Sequence, residues 1–206
     1  MKTALRACSV TMRELLRQAL VNDAELDALF DSALGGSMVV SLDTPQELVN
    51  LQREGLALWL YRVRRDDQTL NMPPRRNAFD RLVPPPLPLR VHYLVVPIVD
   101  HAVRAQASEL EQHILGKALQ VFNDSPILRG SALLDDLAGE DLELTIRLEP
   151  MALEEITRVW DALDLSYQLS VSYEVSVVPI ASARAVDEVT PVDAALPEYG
   201  LTEEFR

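Results

Sequence analysis

The sequence is short of the residue types from which most active sites are built. It has one cysteine and three histidines in 206 residues. Cys8 alone cannot close an internal disulfide, and no His or second Cys stands near it at metal-ligand spacing, so a small buried or terminal thiol is expected. The seven glycines are scattered, and none opens a helix directly after a strand, so a phosphate-cradling loop is excluded. There is no Gly-x-Ser-x-Gly elbow and no His-Glu-x-x-His pair. No apolar run approaches the roughly 18 residues that cross a bilayer, so no membrane insertion is expected. Met1 to Arg6 leads into charged, helix-patterned sequence and not into the apolar core of a signal peptide, which points to the cytoplasm. Positive charge is scarce as well. Nineteen Lys and Arg stand against 32 Asp and Glu, a formal net charge of −13, so no general affinity for nucleic acid is expected. Asp135-Asp136 with Glu140-Asp141 lacks the alternating oxygen ligands and turn glycine of a calcium loop and reads as a solvated loop. No catalytic residue, metal or cofactor is assigned.

What is present is uneven in its charge. Between Tyr61 and Arg90 seven arginines (Arg62, Arg64, Arg65, Arg75, Arg76, Arg81 and Arg90) face three aspartates, a local excess of four positive charges. From Ala183 onward six acidic residues face two arginines, an excess of four negative ones. A basic loop and an acidic tail on one chain suit complementary patches on neighbouring copies.

Hydrophobic spacing sets the elements. Thr11 to Leu34 reads as helix, with Asn22-Asp23 able to cap a second one and Gly35-Gly36 ending it. Ser37 to Leu42 is a short strand, and Asp43-Thr44-Pro45-Gln46-Glu47 a helix start. Leu56 to Val63 is a strand. Arg64 to Leu89, with Val83-Pro84-Pro85-Pro86-Leu87-Pro88, reads as a long surface loop, because polyproline geometry has no internal hydrogen bonds. Arg90 to Val99 is apolar on both faces and is expected in the sheet centre. His101 to Phe122 is the strongest helix. Asp141 to Glu149 and Tyr167 to Val178 alternate as strands, the second with Leu169, Val171, Tyr173, Val175 and Val177 inward. Leu153 to Leu163 is a helix with Leu153, Ile156, Val159, Trp160 and Leu163 inward. The fold class is therefore α/β (α+β): a mixed sheet of about five strands flanked by helices over residues 1–181, then an acidic extended tail over 182–206.

Three segments carry a family resemblance. They are Leu87-Pro88-Leu89-Arg90-Val91-His92-Tyr93-Leu94-Val95, then Glu111-Gln112-His113-Ile114-Leu115-Gly116-Lys117-Ala118-Leu119-Gln120-Val121, and Leu148-Glu149-Pro150-Met151-Ala152-Leu153-Glu154-Glu155-Ile156-Thr157-Arg158-Val159-Trp160 running on through Tyr167 to Val175. In order and spacing they resemble the N-terminal domain of cap proteins of bacterial extracellular contractile injection systems, the virulence-cassette and antifeeding-prophage type. The resemblance implies a fold akin to phage tail terminators. It also implies a homo-oligomer, a hexameric ring, with inner tube and sheath as partners, assembled in the bacterial cytoplasm and carried on the injection particle. It brings no catalytic motif.

The candidate interface residues are the seven arginines with His113 and Gly116. Gly116 sits inside the strongest helix, where glycine costs about 1 kcal/mol relative to alanine. The expected return is a close approach of another backbone, within the domain or across a subunit seam. Pro85-x-x-Pro88-x-Arg90 fits a polyproline ligand formally but runs into a core strand, so a stiff lead-in is expected. The competing functional reading is a small-molecule-binding α/β enzyme, which requires a deep pocket with convergent polar groups at strand ends.

Overall fold

In chain order the elements are α1 (Ala4–Val21), α2 (Asp27–Phe30), β1 (Val39–Ser41), α3 (Pro45–Asn50), β2 (Gly55–Arg65), β3 (Arg75–Ala78) and β4 (Arg81–Val83). Then come β5 (Leu87–Ile98), α4 (Ala107–Asp124), β6 (Ile127–Arg129), β7 (Glu143–Glu149), α5 (Leu153–Ala162), β8 (Val171–Ile180) and β9 (Asp187–Glu188). The computed structural model describes residues 2–69, 73, 75–78, 81–163, 165–184 and 187–188. Six strands form one mixed sheet in the order β1-β2-β5-β8-β7-β6, antiparallel throughout except for β1 beside β2. This is the expected α/β (α+β) class, with one strand more in the main sheet than the alternation suggested.

Each face of the sheet has its own core. On the first, α1 and α4 cover Leu56, Leu58, Val91, Tyr93, Val95, Leu144, Ile146, Tyr173 and Val175. The covering side chains include Ala4, Ala7, Cys8, Met12 and Leu16 of α1 and Ile114, Leu115, Ala118 and Phe122 of α4. Burying one large apolar side chain stabilises by about 1.5–3 kcal/mol, so this layer is the main source of folding energy. Tyr93 is fully buried, and its hydroxyl lies 2.8 Å from that of Ser9, which itself donates to the Leu5 carbonyl; the phenol therefore donates to Ser9. On the second face, α3 and α5 place Leu48, Ile156, Trp160 and Leu163 against Ala57, Leu94, Val96 and Ile98. Trp160 is core, as its spacing indicates, and its indole N–H donates to Ser170 at 3.1 Å. Trp59 packs only at the margin of this cluster.

Local chemistry fixes several boundaries. Thr44 caps α3 with a full capping box: its hydroxyl accepts from the Glu47 amide, and the Glu47 carboxylate accepts from the Thr44 amide. Gly55 begins β2 at φ +139°, where a Cβ would stand 2.0 Å from the Val39 carbonyl oxygen, so only glycine lets β1 pair there. Cys8 is wholly buried, and burial pushes its thiol up to about 12, well away from nucleophilic reactivity.

The structure corrects some boundaries. α1 begins at Ala4 and not at Thr11, because small residues at positions 4, 7 and 8 let it lie close on the sheet. Thr11 is interior: its hydroxyl donates to the Ala7 carbonyl and accepts from the Leu134 amide. α4 starts at Ala107, six residues later than the spacing suggests. Asp100 closes a turn on the Ala102 amide, Glu54 grips Arg104 at 2.8–3.1 Å, and Val103 is left 77% exposed. Leu153, expected inward, is exposed at the start of α5. In β8 the inward alternation slips between Val175 and Val178, where the register against β5 shifts; Val178 enters the core in place of Val177.

The largest correction concerns residues 64–89. β2 runs on to Arg65 and β5 starts at Leu87, while β3, β4 and β9 form a second, three-stranded sheet. The loop assignment followed from the prolines, yet Pro88 stands opposite Pro179 in the β5–β8 pair, so two residues without an N–H share one position across the ladder. Among the described residues of this stretch, Asp66 to Thr69, Pro73 and Pro84 to Pro86 remain outside any strand. The tail is also engaged at its start, since Asp187 and Glu188 pair with Leu82 and Arg81. The tail's later acids, Asp193, Glu198, Glu203 and Glu204, lie outside the described residues. Among the described residues no helix is long and apolar enough to cross a membrane.

Candidate assembly surface

The second face of the sheet is divided. Under α3 and α5 it is apolar, but toward the end of β2 and the start of β5 the same side of the strands carries charge. Alternation produces this: Leu94, Val96 and Ile98 face α5, and Arg90 and His92 occupy the same side of β5 further back. Opposite them in β8 stand Ser172, paired with Leu94, and Glu174, paired with His92; Glu149 of β7 pairs with Ser172.

These residues form two linked networks. Arg90 donates through Nε to Asp66 Oδ1 at 2.6 Å and through Nη1 to Glu174 Oε1 at 2.8 Å. Asp66 is 1% exposed. The Thr69 hydroxyl and then Arg90 hold its carboxyl below the usual carboxylate range despite burial. In the second network three donors converge on Glu149 Oε2: His92 Nδ1 at 2.9 Å, the Ser172 hydroxyl at 2.7 Å and the Tyr61 hydroxyl at 3.3 Å. Burial pushes the Glu149 carboxyl up, but the bonds from His92, Ser172 and Tyr61 together hold it below its usual range. His92 is 1% exposed; its Nε2 has no hydrogen-bond partner among the described residues and lies 4.0 Å from Glu174 Oε2. At this burial His92 is a strut that ties β5 to β7 through Glu149.

The nine candidate interface residues separate on this frame. Arg90 is engaged internally, as above. Arg62, Arg64 and Arg65 are exposed at the end of β2. The backbones of Arg75, Arg76 and Arg81 lie in β3 and β4, and their side chains are outside the described residues. His113 and Gly116 lie elsewhere, on the outer side of α4. His113 Nε2 is 3.2 Å from Glu25, and a Cβ built on Gly116 would meet nothing within 4 Å. The close approach expected at Gly116 is therefore not made within the described part of this chain. Sequence reasoning missed the networks altogether. The available signal was the pair Arg90 and His92, two residues apart in an otherwise apolar strand.

The small-molecule reading calls for a deep polar pocket at strand ends. At that end of the sheet lies a groove of about 560 Å³, walled by Pro84 to Pro86, Pro88 and Pro179 on one side and by Glu140 to Glu143 on the other. Its polar lining includes Thr69, Glu140, Asp141, Glu143 and Ser176 beside the prolines.

The outermost strands leave unpaired backbone. β1 covers β2 only from Gly55 to Ala57, so on that side Leu58 to Arg65 have no strand partner among the described residues. At the opposite margin β6 is three residues long and ends at Ile127 opposite Thr145, leaving the last residues of β7 open.

Solved structures share this fold. Over 98% of its length the chain matches a structure described as the sheath/tube terminator of the extracellular contractile injection system PVC in its extended state, with a TM-score of 0.63 and 19% identity. Over 90% of its length it matches the anti-feeding prophage cap, described as a tube terminating cap, with a TM-score of 0.59 and 17% identity. The chain spans 65% and 59% of those two chains. No curated protein matches it. The family model for the Pvc16 N-terminal domain matches residues 7–194, nearly the whole sequence. The chain belongs to the Pvc16 N-terminal domain family.

Proposed function

We propose that this protein is a structural cap of a contractile injection system: a homo-oligomeric ring that seats on the end of the inner tube and sheath and stops their growth. The observation that carries the reading is the fold match over 98% of the chain to a sheath/tube terminator. The mechanism is geometric. A growing polymer exposes backbone and side chains that the next subunit would satisfy, strand edges among them. A ring that satisfies them while presenting a different outer surface ends the addition. Cyclic symmetry multiplies modest contacts into a stable seat. The ring is hexameric on the family resemblance, and it assembles in the bacterial cytoplasm before the particle is released. Residues 1–181 form the ring domain, and the acidic segment 182–206 follows it, with Asp187 and Glu188 paired to β4.

The surface offered to partners is the exposed arginine group at the end of β2 with the neighbouring β3–β4 hairpin, together with His113 and Gly116 on α4. No reaction is assigned. Negative-stain imaging of particles made without this protein tests the proposal: tails of aberrant length or with unstable, open ends are expected. Normal tails with intact ends would overturn it.

A further inference from the structure

Ring formation, which this inference takes from the proposed function, requires two different surfaces on each copy that fit one another. The sheet supplies them at its two margins. At the β2 margin, Arg62 to Arg65 are all exposed, and three of the four are arginine. The register sets Arg62 and Arg64 beside His92 and Arg90 on the second face, and Val63, 45% exposed, beside Val91 on the first. Among the described residues none of Arg62, Arg64 and Arg65 has an ion-pair partner.

The opposite margin is acidic. The connection from β6 to β7 carries Asp135, Asp136, Glu140 and Asp141, and β7 opens with Glu143, with no basic residue in between. Asp135 is taken by Arg6 at 2.6 Å, and Glu143 by Arg129 at 3.1 Å. Asp136, Glu140 and Asp141 are exposed and without an ion-pair partner among the described residues.

Topology places both clusters at the same level of the sheet. Arg65 pairs with Leu89 at the start of β5, Leu87 pairs with Ile180 at the end of β8, and Glu143 opens β7 beside that end. Both clusters thus flank one end of the sheet, on opposite sides. From β2 to β6 there are four strand spacings, about 19 Å, too far for an arginine and a carboxylate of one chain to meet across the sheet. β2 and β6 also have the same sense along the sheet, so the two margins offer strands of like direction to a neighbour.

We infer that a second copy of this chain docks here: the basic β2 margin of one subunit seats against the acidic β6–β7 margin of the next, and this head-to-tail contact closes the ring. A heterologous contact of this kind generates a ring when its rotation closes. Charge sets direction and register, and Val63 supplies an apolar point between the arginines. Arginines and the register shift between Leu60 and Arg62 are also devices that keep a free edge from pairing indiscriminately; selective pairing with an acidic neighbour uses the same residues.

Charge exchange in the full chain tests this. R62E/R64E makes both margins acidic, and E140K/D141K makes both basic. All four positions are exposed, and circular dichroism and thermal melting will report folding like the parent. By light scattering the parent forms a ring that dissociates as salt is raised, each variant alone loses the ring, and an equimolar mixture regains it, since every contact in an alternating ring is then between opposite charges. Variants that form rings as the parent does, a folded mixture that stays monomeric, or a parent that is monomeric at every concentration would each overturn the inference. Tube-capping assays separate it from the proposed function. Monomeric variants that still halt tube growth would sink this contact and leave capping intact; rings that form as described but never bind tube or sheath ends would do the reverse.

Discussion

The two faces of the sheet are built on different physics. The first is an apolar layer in which α1 and α4 bury aliphatic and aromatic side chains against all six strands of the main sheet. The second is apolar only under α3 and α5; its other half is held by ion pairs and hydrogen bonds among Asp66, Arg90, Glu174, His92 and Glu149. Packing on the first face rests mainly on shape, whereas the polar half depends on each partner being present. A buried carboxylate that loses its cation retains its desolvation penalty. The first face therefore supplies most of the stability, and the polar half fixes how β2, β5, β8 and β7 register with one another at the end where the charged margins emerge.

The largest difference is expected in the first layer. Phe122 is 2% exposed and packs edge-on against Tyr173 with centroids 4.7 Å apart. Phe122→Ala should lower stability by about 4 kcal/mol in urea denaturation, with the slope unchanged. Next comes Arg90→Ala, which strands Asp66 and Glu174 and should cost about 3 kcal/mol. The double variant Arg90→Met with Asp66→Leu should recover most of that loss. If it did not, the networks would be doing more than satisfying one another.

Acid should then weaken the polar half, together with the depressed carboxyls of Glu14, Asp23 and Glu54 outside it. Asp66 and Glu149 are held below the carboxylate range in the folded chain. Their contribution is thus complete above about pH 4 and fades as pH falls through the folded values, since the unfolded chain takes up protons first. Denaturation midpoints measured from neutral to acidic pH should fall along this limb, and Asp66→Asn should flatten it. Phe122→Ala should shift the whole curve without changing its shape.

The smallest effect lies outside the first layer. Gly116 is exposed and has room for a Cβ, so Gly116→Ala should raise the melting stability of the isolated chain by about 1 kcal/mol. A loss would mean the helix needs glycine for its own geometry.

The same contrast decides what could be read from the sequence. The first layer is written in spacing: Leu16 and Leu20 in α1, Ile114, Ala118 and Val121 in α4, and the alternating Leu144 and Ile146 all stand where period alone puts them. The polar half is written in contacts between residues 66, 90, 149 and 174, which no local pattern joins. Ser172 and Glu174 read as solvent-facing from alternation, and both face a charged layer instead. Prolines concealed the strand starts at Leu87 and the small β3–β4–β9 sheet, because a Pro opposite a Pro leaves the ladder's other bonds in place. The basic character of Arg62 to Arg65 was legible. Their position on an open margin, with the acidic connection at the same level across the sheet, required the topology.

The direct test of capping is to add the purified chain to polymerising tube and sheath subunits and to measure filament lengths by electron microscopy. Shorter filaments with density at one end, in proportion to the protein added, are expected. Unchanged lengths with bare ends at saturating protein would contradict the proposal that this chain brings growth to a halt.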